Sequence, residues 1–273
     1  MSETLESYCE YYKRPCTVSD GLCSECGERL IEPASGATEE SPKTKGMTNG
    51  KQRTISGIRP SGKLHLGNYI GSILPAIRNN SDVLIAEYHA PDGDVYGLLE
   101  ELRRYFADDK IKLQRDTFNP RLYFELLQVT SSGLLTHMPQ YKEKEKTAHM
   151  FVYPVLMAHD IADYDFVVVG DDQRPHIELA NDILHRVDKR CPQPIYDGGR
   201  VMDLRNPERK MSKSEPDSCL FMSDAPEVMR KKIQKAVTDE AGRANLEFIF
   251  GALYEGTSPP KLNTNLKDAI YLA

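Results

Sequence analysis

Three short apolar runs, Thr54 to Ile58, Val83 to Ala86 and Phe166 to Val169, are separated and followed by stretches of helical periodicity, and this alternation constrains the chain more than any other feature. Runs this short, without regular polar interruption, suit strands buried on both faces. Leu66, Ile70, Ile73, Leu74 and Ile77 form one helical stripe; Leu98, Leu99, Leu102 and Phe106 form a second; Ile177, Ile183, Leu184 and Val187 form a third. Strand and helix in alternation predict an α/β fold, a Rossmann-type parallel sheet with helices on both faces. A last clear helix is expected around Pro226 to Val237, capped by Ser223 or Asp224 and carrying the basic segment Arg230-Lys231-Lys232. Beyond it, Gly242, Gly251, Gly256 and the Pro259-Pro260 pair interrupt any pattern, which predicts a reduced helical C-terminal part.

The N-terminal end has a different character. Four of the six cysteines, Cys9, Cys16, Cys23 and Cys26, fall within the first 26 residues, and a polar Gly/Ser/Thr/Pro-rich linker follows. Met1 to Glu10 has neither the basic region nor the apolar core of a secretion signal, so a cytoplasmic protein is expected, and the crowded thiols read as metal ligands before disulfides. A close Cys-x2-Cys pair with two further thiols suits tetrahedral zinc, which would hold together a segment too short to build its own core. The expected division is a cysteine-rich metal-binding segment (1–31), a flexible linker (32–52), the Rossmann body (53–222) and the small helical part (223–273). The 273 residues, 40% hydrophobic and 28% charged, exclude a fibre or a disordered chain. A net charge of −6 argues against a non-specific nucleic-acid coat and leaves room for a local basic surface.

Two segments carry chemistry. Ser56-Gly57-Ile58-Arg59-Pro60-Ser61-Gly62-Lys63-Leu64-His65-Leu66-Gly67-Asn68 leaves an expected strand and opens an expected helix. Its small residues let a flat ligand approach the backbone, the helix start offers free N–H groups to phosphates, and His65 and Asn68 add donors. A tight structural turn would look much the same. Downstream, Lys210-Met211-Ser212-Lys213-Ser214 places two ammonium groups on a loop, where they can neutralise a departing pyrophosphate. In this order, on an α/β body, His-Leu-Gly-Asn followed by Lys-Met-Ser-Lys-Ser resembles the signature pair of class I aminoacyl-tRNA synthetases.

The resemblance extends from about residue 53 to 240 and is specifically to tryptophanyl-tRNA synthetases. It is carried by Tyr153-Pro154-Val155-Leu156-Met157-Ala158-His159-Asp160-Ile161, by Val169-Gly170-Asp171-Asp172-Gln173 with His176-Ile177-Glu178-Leu179, by Tyr141-Lys142-Glu143-Lys144, and by Lys232-Ile233 leading to Ala236-Val237-Thr238-Asp239. The residues themselves agree. Pro154 fits the first turn of a helix, and Tyr153, Met157 and Asp160 recur at i, i+4 and i+7 on one face. An indole N–H only donates, so a buried Asp160 can select a ring with a hydrogen to give and reject phenylalanine. A tyrosine hydroxyl also donates, which keeps tyrosine as the second substrate reading.

The resemblance implies activation of tryptophan by ATP and Mg²⁺ and transfer to tRNA, with a homodimer as the working form. It implies catalytic roles for His65, Asn68, Lys144, Lys210 and Lys213. ATP would lie against Gly57, Arg59, Gly67, Asn68, Lys142, Asp172, Met202 and Ser212. The amino acid would lie against Tyr153, Met157, Asp160, Val167, Val169 and Gln173. The Lys142 to Lys146 run alternates lysine with glutamate and reads equally well as a solvated face. Arg59 stands where a glutamine is usual in the family, Ile55 where an aromatic residue often packs on substrate, and His159 where a small residue is usual. The cysteine spacing is also similar to that of a four-iron cluster in some family members, which leaves an iron–sulfur cluster as the alternative to zinc. With so small a C-terminal part, the cysteine head becomes a candidate for part of the RNA contact. The competing readings are a paralogue that activates tyrosine or another amino acid or uses a non-tRNA acceptor, and a catalytically dead RNA-binding or regulatory module.

Overall fold

In a computed structural model, the backbone of residues 5–9, 14–19 and 22–23 is described, and all atoms of residues 52–138, 141, 147–254, 267 and 270. Cys26, Lys142, Lys144, residues 32–51 of the linker and the side chains of Cys9, Cys16 and Cys23 lie outside the described residues. Contacts divide the chain into two units, Met1–Gly50 and Lys51–Ala273.

The first unit contains an antiparallel sheet of β1 (Leu5–Cys9), β2 (Arg14–Ser19) and β3 (Leu22–Cys23). Its register sets Cys9 opposite Arg14, Ser7 opposite Cys16 and Val18 opposite Cys23, so Cys9, Cys16 and Cys23 hold positions of one parity across the ladder.

The second unit is built on a parallel sheet of β4 (Thr54–Ile58), β5 (Asp82–Ile85), β6 (Ile111–Leu113), β7 (Phe166–Val169) and β8 (Gln193–Tyr196), in the order β6-β5-β4-β7-β8. From β4 the chain first builds to one side and then returns to build on the other. The crevice beyond the C-terminal ends of β4 and β7 is therefore the switch point at which open α/β sheets bind ligands.

Alternation along the strands supplies two apolar layers. Ile55, Leu84 and Val167 face the helices Pro120–Val129, Ala148–Ile161 and Arg174–His185. Ile58, Val83 and Ile85 face the opposite layer, where Ile73, Ala76, Leu98 and Leu102 lie. A third cluster joins Leu66 and Ile70 to Val201, Leu204, Met211, Leu220, Ile233, Leu246 and Ile249.

Several local expectations are corrected. The first stripe is broken by a π-helical turn over Tyr69–Ile73, between Leu66–Asn68 and Leu74–Arg78. The wider turn rotates the residues after it, so Ile77 is 42% exposed while Ile70 and Ile73 are buried. Pro154 is not in a first turn. Its helix begins at Ala148, where the Thr147 hydroxyl accepts the N–H of Met150 at 3.2 Å, and Pro154 lies in the interior. The late helix runs over Pro226–Gln234 behind Ala225, with no side-chain cap. Asp224 instead accepts from the Phe221 N–H and pairs with Lys232 at 2.7 Å. A further helix, Glu240–Tyr254, crosses the region expected to be broken, with Leu246 and Ile249 buried in the third cluster. The gain from that burial exceeds the roughly 1 kcal/mol that each interior glycine costs. Two edge strands, β6 and β8, carried no sequence signal. Each is short and has one neighbour, and Pro194 is tolerated at such an edge.

Candidate active site

The segment leaving β4 is held from several directions. Leu64 N–H donates to the Glu101 carboxylate at 2.8 Å, and the backbone at 64–66 pairs with 220–222 through Leu66 N–H to Leu220 C=O at 2.8 Å and Met222 N–H to Leu64 C=O at 2.9 Å. His65 stands at the helix start, where its N–H donates to Asn68 Oδ1 at 3.2 Å. Its ring lies against Gly67, where a Cβ would come within 2.9 Å of the imidazole. Among the described residues, His65 Nδ1 is buried without a hydrogen-bond partner. Burial, and then the ammonium groups of Lys213 and Lys210, lower His65 from 6.5 to about 4, so the ring is neutral at pH 7.

The lysine loop meets this segment directly. Lys213 Nζ donates to the carbonyls of Ser61 and Gly62, both at 3.0 Å, and burial lowers its pKa. Gly62 sits at φ +94, a conformation suited to glycine. Met211 is anchored in the third apolar cluster. Behind the loop, the buried Asp203 accepts the N–H groups of Arg205 and Asn206 on one oxygen and the Ser218 hydroxyl on the other. Met202 bridges to Lys210, and its own N–H and C=O both pair with the Asn245 side chain, at 2.9 and 3.0 Å. His65, Asn68, Lys210, Ser212 and Lys213 thus belong to one constellation across two loops about 150 residues apart in sequence. Gly57 is open above, with no atom of the described residues within 4 Å of a would-be Cβ. A cavity of about 500 Å³ opens between residues 60–62 and 90–94.

At the end of β7, Gln173 donates to Asp172 at 3.2 Å, and Gly170 leaves room for the Asp172 carboxylate, which a Cβ would meet at 2.7 Å. Tyr153 is packed edge-on to His89 with ring centres 4.3 Å apart. Burial raises the Tyr153 hydroxyl, the nearby Arg59 works against that, and Asp160 adds to it. Val167 is buried in the first apolar layer, and Val169 and Met157 pack against it.

Asp160 has a fuller set of partners than its sequence position implies. Its side chain is 5% exposed. One oxygen takes His89 Nε2 at 2.9 Å and Gln114 Nε2 at 2.7 Å; the other lies 3.2 Å from His159 Nδ1. Burial pushes its pKa up, but the donors from His159, His89 and Gln114 outweigh that and hold the carboxyl below its ordinary value. His89, Gln114, Asp203 and Asn245 were not among the expected site residues. No motif or period in the sequence singles them out, and they are recognisable only by what they touch. Among the described residues, no cluster of His, Cys, Asp and Glu is arranged to hold a metal, and no helix is long and apolar enough to cross a membrane.

Comparison with known proteins agrees with this geometry. The profile for class I tRNA synthetases (W and Y) matches residues 99–261. Tryptophan–tRNA ligase of Caldanaerobacter subterraneus is 33% identical over 231 residues, covering 72% of this chain and 71% of that protein. The Clostridium perfringens tryptophan–tRNA ligase is 36% identical, covering 73% and 70%. Among solved structures, tryptophanyl-tRNA synthetase from Mycoplasma pneumoniae superposes with a TM-score of 0.68 at 28% identity, covering 81% of this chain and 84% of that one. The Campylobacter jejuni enzyme, solved with ADP and tryptophan, gives a TM-score of 0.58 at 28% identity over 81% and 78%. The crevice at the switch point, the histidine and lysine loops closed on each other, and these relatives lead to one assignment: the chain belongs to the class I tRNA synthetases for tryptophan and tyrosine.

Proposed function

We propose that this chain activates tryptophan with ATP and transfers it to tRNA(Trp). A carboxylate oxygen of tryptophan attacks the α-phosphorus, the bond to the bridging oxygen breaks, and pyrophosphate leaves as tryptophanyl-adenylate forms. The 3′-terminal ribose hydroxyl of tRNA then displaces AMP. No side chain acts as nucleophile, so the work is positioning and charge neutralisation. The carrying observation is the convergence of neutral His65 with Lys213, docked on the carbonyls of Ser61 and Gly62. With His65 uncharged, positive charge at the phosphate side comes from Lys210 and Lys213. Lys213 exchanges carbonyl partners for phosphate oxygens when ATP enters, and Mg²⁺ carried by the nucleotide shares in the neutralisation. Asn68, Gly57, Arg59, Gly67, Met202, Ser212 and Asp172 are assigned to ATP, with Lys142 and Lys144 joining them on the polyphosphate. Tyr153, Met157, Asp160, Val167, Val169 and Gln173 are assigned to the amino acid. The names of the relatives support tryptophan over tyrosine and an active enzyme over a dead one.

Pyrophosphate exchange measured with each of the twenty amino acids tests this. Exchange with tryptophan alone is expected; exchange with none overturns the enzyme reading, and exchange with tyrosine alone overturns the substrate. The same proposal takes the working form as a cytoplasmic homodimer. It also assigns one Zn²⁺ to Cys9, Cys16, Cys23 and Cys26, in a head that shares the RNA contact. The shared parity of three of these positions across the β1–β2–β3 register supports a common ligand set.

A further inference from the structure

His159 lies one residue before Asp160 and is 6% exposed. Its two ring nitrogens have different partners. Nε2 receives the backbone N–H of Asn119 at 2.9 Å, and Nδ1 faces Asp160 Oδ1 at 3.2 Å. An amide N–H can only donate, so Nε2 must present a lone pair and the ring's single proton must sit on Nδ1, donated to the carboxylate. Both the imidazolium and the other tautomer would set N–H against N–H. On the far oxygen, His89 and Gln114 donate. A carboxylate offers about four lone-pair directions, and described residues occupy three of them, so among the described residues one direction on Oδ1 is left.

We propose that His159 is a specificity-determining positioning residue that fixes the Asp160 carboxylate so that its one remaining Oδ1 lone pair faces the ring N–H of the amino-acid substrate. This rests on the tryptophan reading given above. The terminal torsion of an aspartate is broad, and a carboxylate held on one oxygen alone would still turn. The third donor, on the opposite oxygen, removes that freedom. Asn119 is the N-cap residue of the Pro120–Val129 helix, where its side chain accepts the Leu122 N–H at 3.2 Å, so the direction of the carboxylate is referred to a fixed helix start.

The chain contains no tryptophan, so the fluorescence of bound tryptophan is read without background. The wild-type chain is compared with His159→Ala, His159→Asn and His159→Gln. Asparagine places an N–H near the Nδ1 position and keeps the bond to Asp160 alone; glutamine reaches further and keeps an acceptor for Asn119 alone. Loss of a hydrogen bond to a charged group weakens binding about tenfold or more. The alanine and glutamine variants should therefore raise the tryptophan Kd and KM about tenfold, with kcat and the ATP KM within about twofold of wild type, and asparagine should recover most of the loss. Equal losses in the asparagine and glutamine variants, or losses that follow thermal stability, overturn the role. Long-range ¹H–¹⁵N spectra of the unliganded chain should report the Nδ1–H tautomer, and the Nε2–H form overturns it without any substrate. Wild type that neither binds nor activates tryptophan would instead overturn the substrate reading, and the role of His159 with it.

Discussion

Asn245→Ala tests whether the helix Glu240–Tyr254 supports the lysine loop. Asn245 is 6% exposed, and its amide pairs with both backbone groups of Met202, at 2.9 and 3.0 Å. Alanine is at home in a helix, so the effect reports the two lost hydrogen bonds. Each is worth about 0.5–1.5 kcal/mol net, and leaving both Met202 groups short of a partner brings the total to about 2–3 kcal/mol. For a unit of this size that lowers Tm by roughly 5–10 °C. Met202 bridges to Lys210, flanked by Asp203 N–H to Arg209 C=O at 2.8 Å and Met211 N–H to Val201 C=O at 3.0 Å, so the base of the lysine loop loosens with it. The expected kinetic result is an ATP KM raised about tenfold with the tryptophan KM within about twofold. Thermal scans and pyrophosphate exchange measure both. An unchanged Tm, or equal rises in both KM values, would refute the coupling. Asn245→Asp keeps the acceptor for the N–H but turns an oxygen toward the carbonyl, and should destabilise at least as much at pH 7.

Gly67→Ala suits the helix but sets a Cβ 2.9 Å from His65 Cε1, so exchange should slow about tenfold while circular dichroism stays unchanged. His65 gives a pH signature. With the folded value at about 4, below the unfolded 6.5, the unfolded chain binds the proton first, so stability is full above pH 6.5 and falls by about 3 kcal/mol on going down to pH 4. Urea titrations should show that loss in wild type and not in His65→Asn; equal slopes would remove the buried neutral ring from the account. Elemental analysis of the purified protein should find about one zinc per chain, and a brown protein absorbing near roughly 400 nm would replace zinc with iron.

Much of the body was legible because its signals are local. Strands β4, β5 and β7 and the helices flanking them follow from apolar runs and periods, and the His65 and Lys213 segments stand out by composition and order. Other features were not local. The π-helical turn at Tyr69–Ile73 turns Ile77 outward although the stripe reads as continuous. The Glu240–Tyr254 helix exists because Leu246 and Ile249 find Ile70 and Ile233 in one cluster, which outweighs two interior glycines.

Local pattern alone specifies the parallel α/β body, the histidine and lysine segments and the presence of a carboxylate at position 160 on the face of Tyr153 and Met157. The surroundings of that carboxylate come from long-range packing. His89, Gln114 and Asn119 come from 71, 46 and 40 residues away to Asp160 and its neighbour His159, and they set which oxygen is occupied and which proton sits where. Periodicity reports which face of an element is buried. Hydrogen-bond saturation depends on which distant elements meet that face, and among the described residues that meeting occupies three of the four lone-pair directions of Asp160.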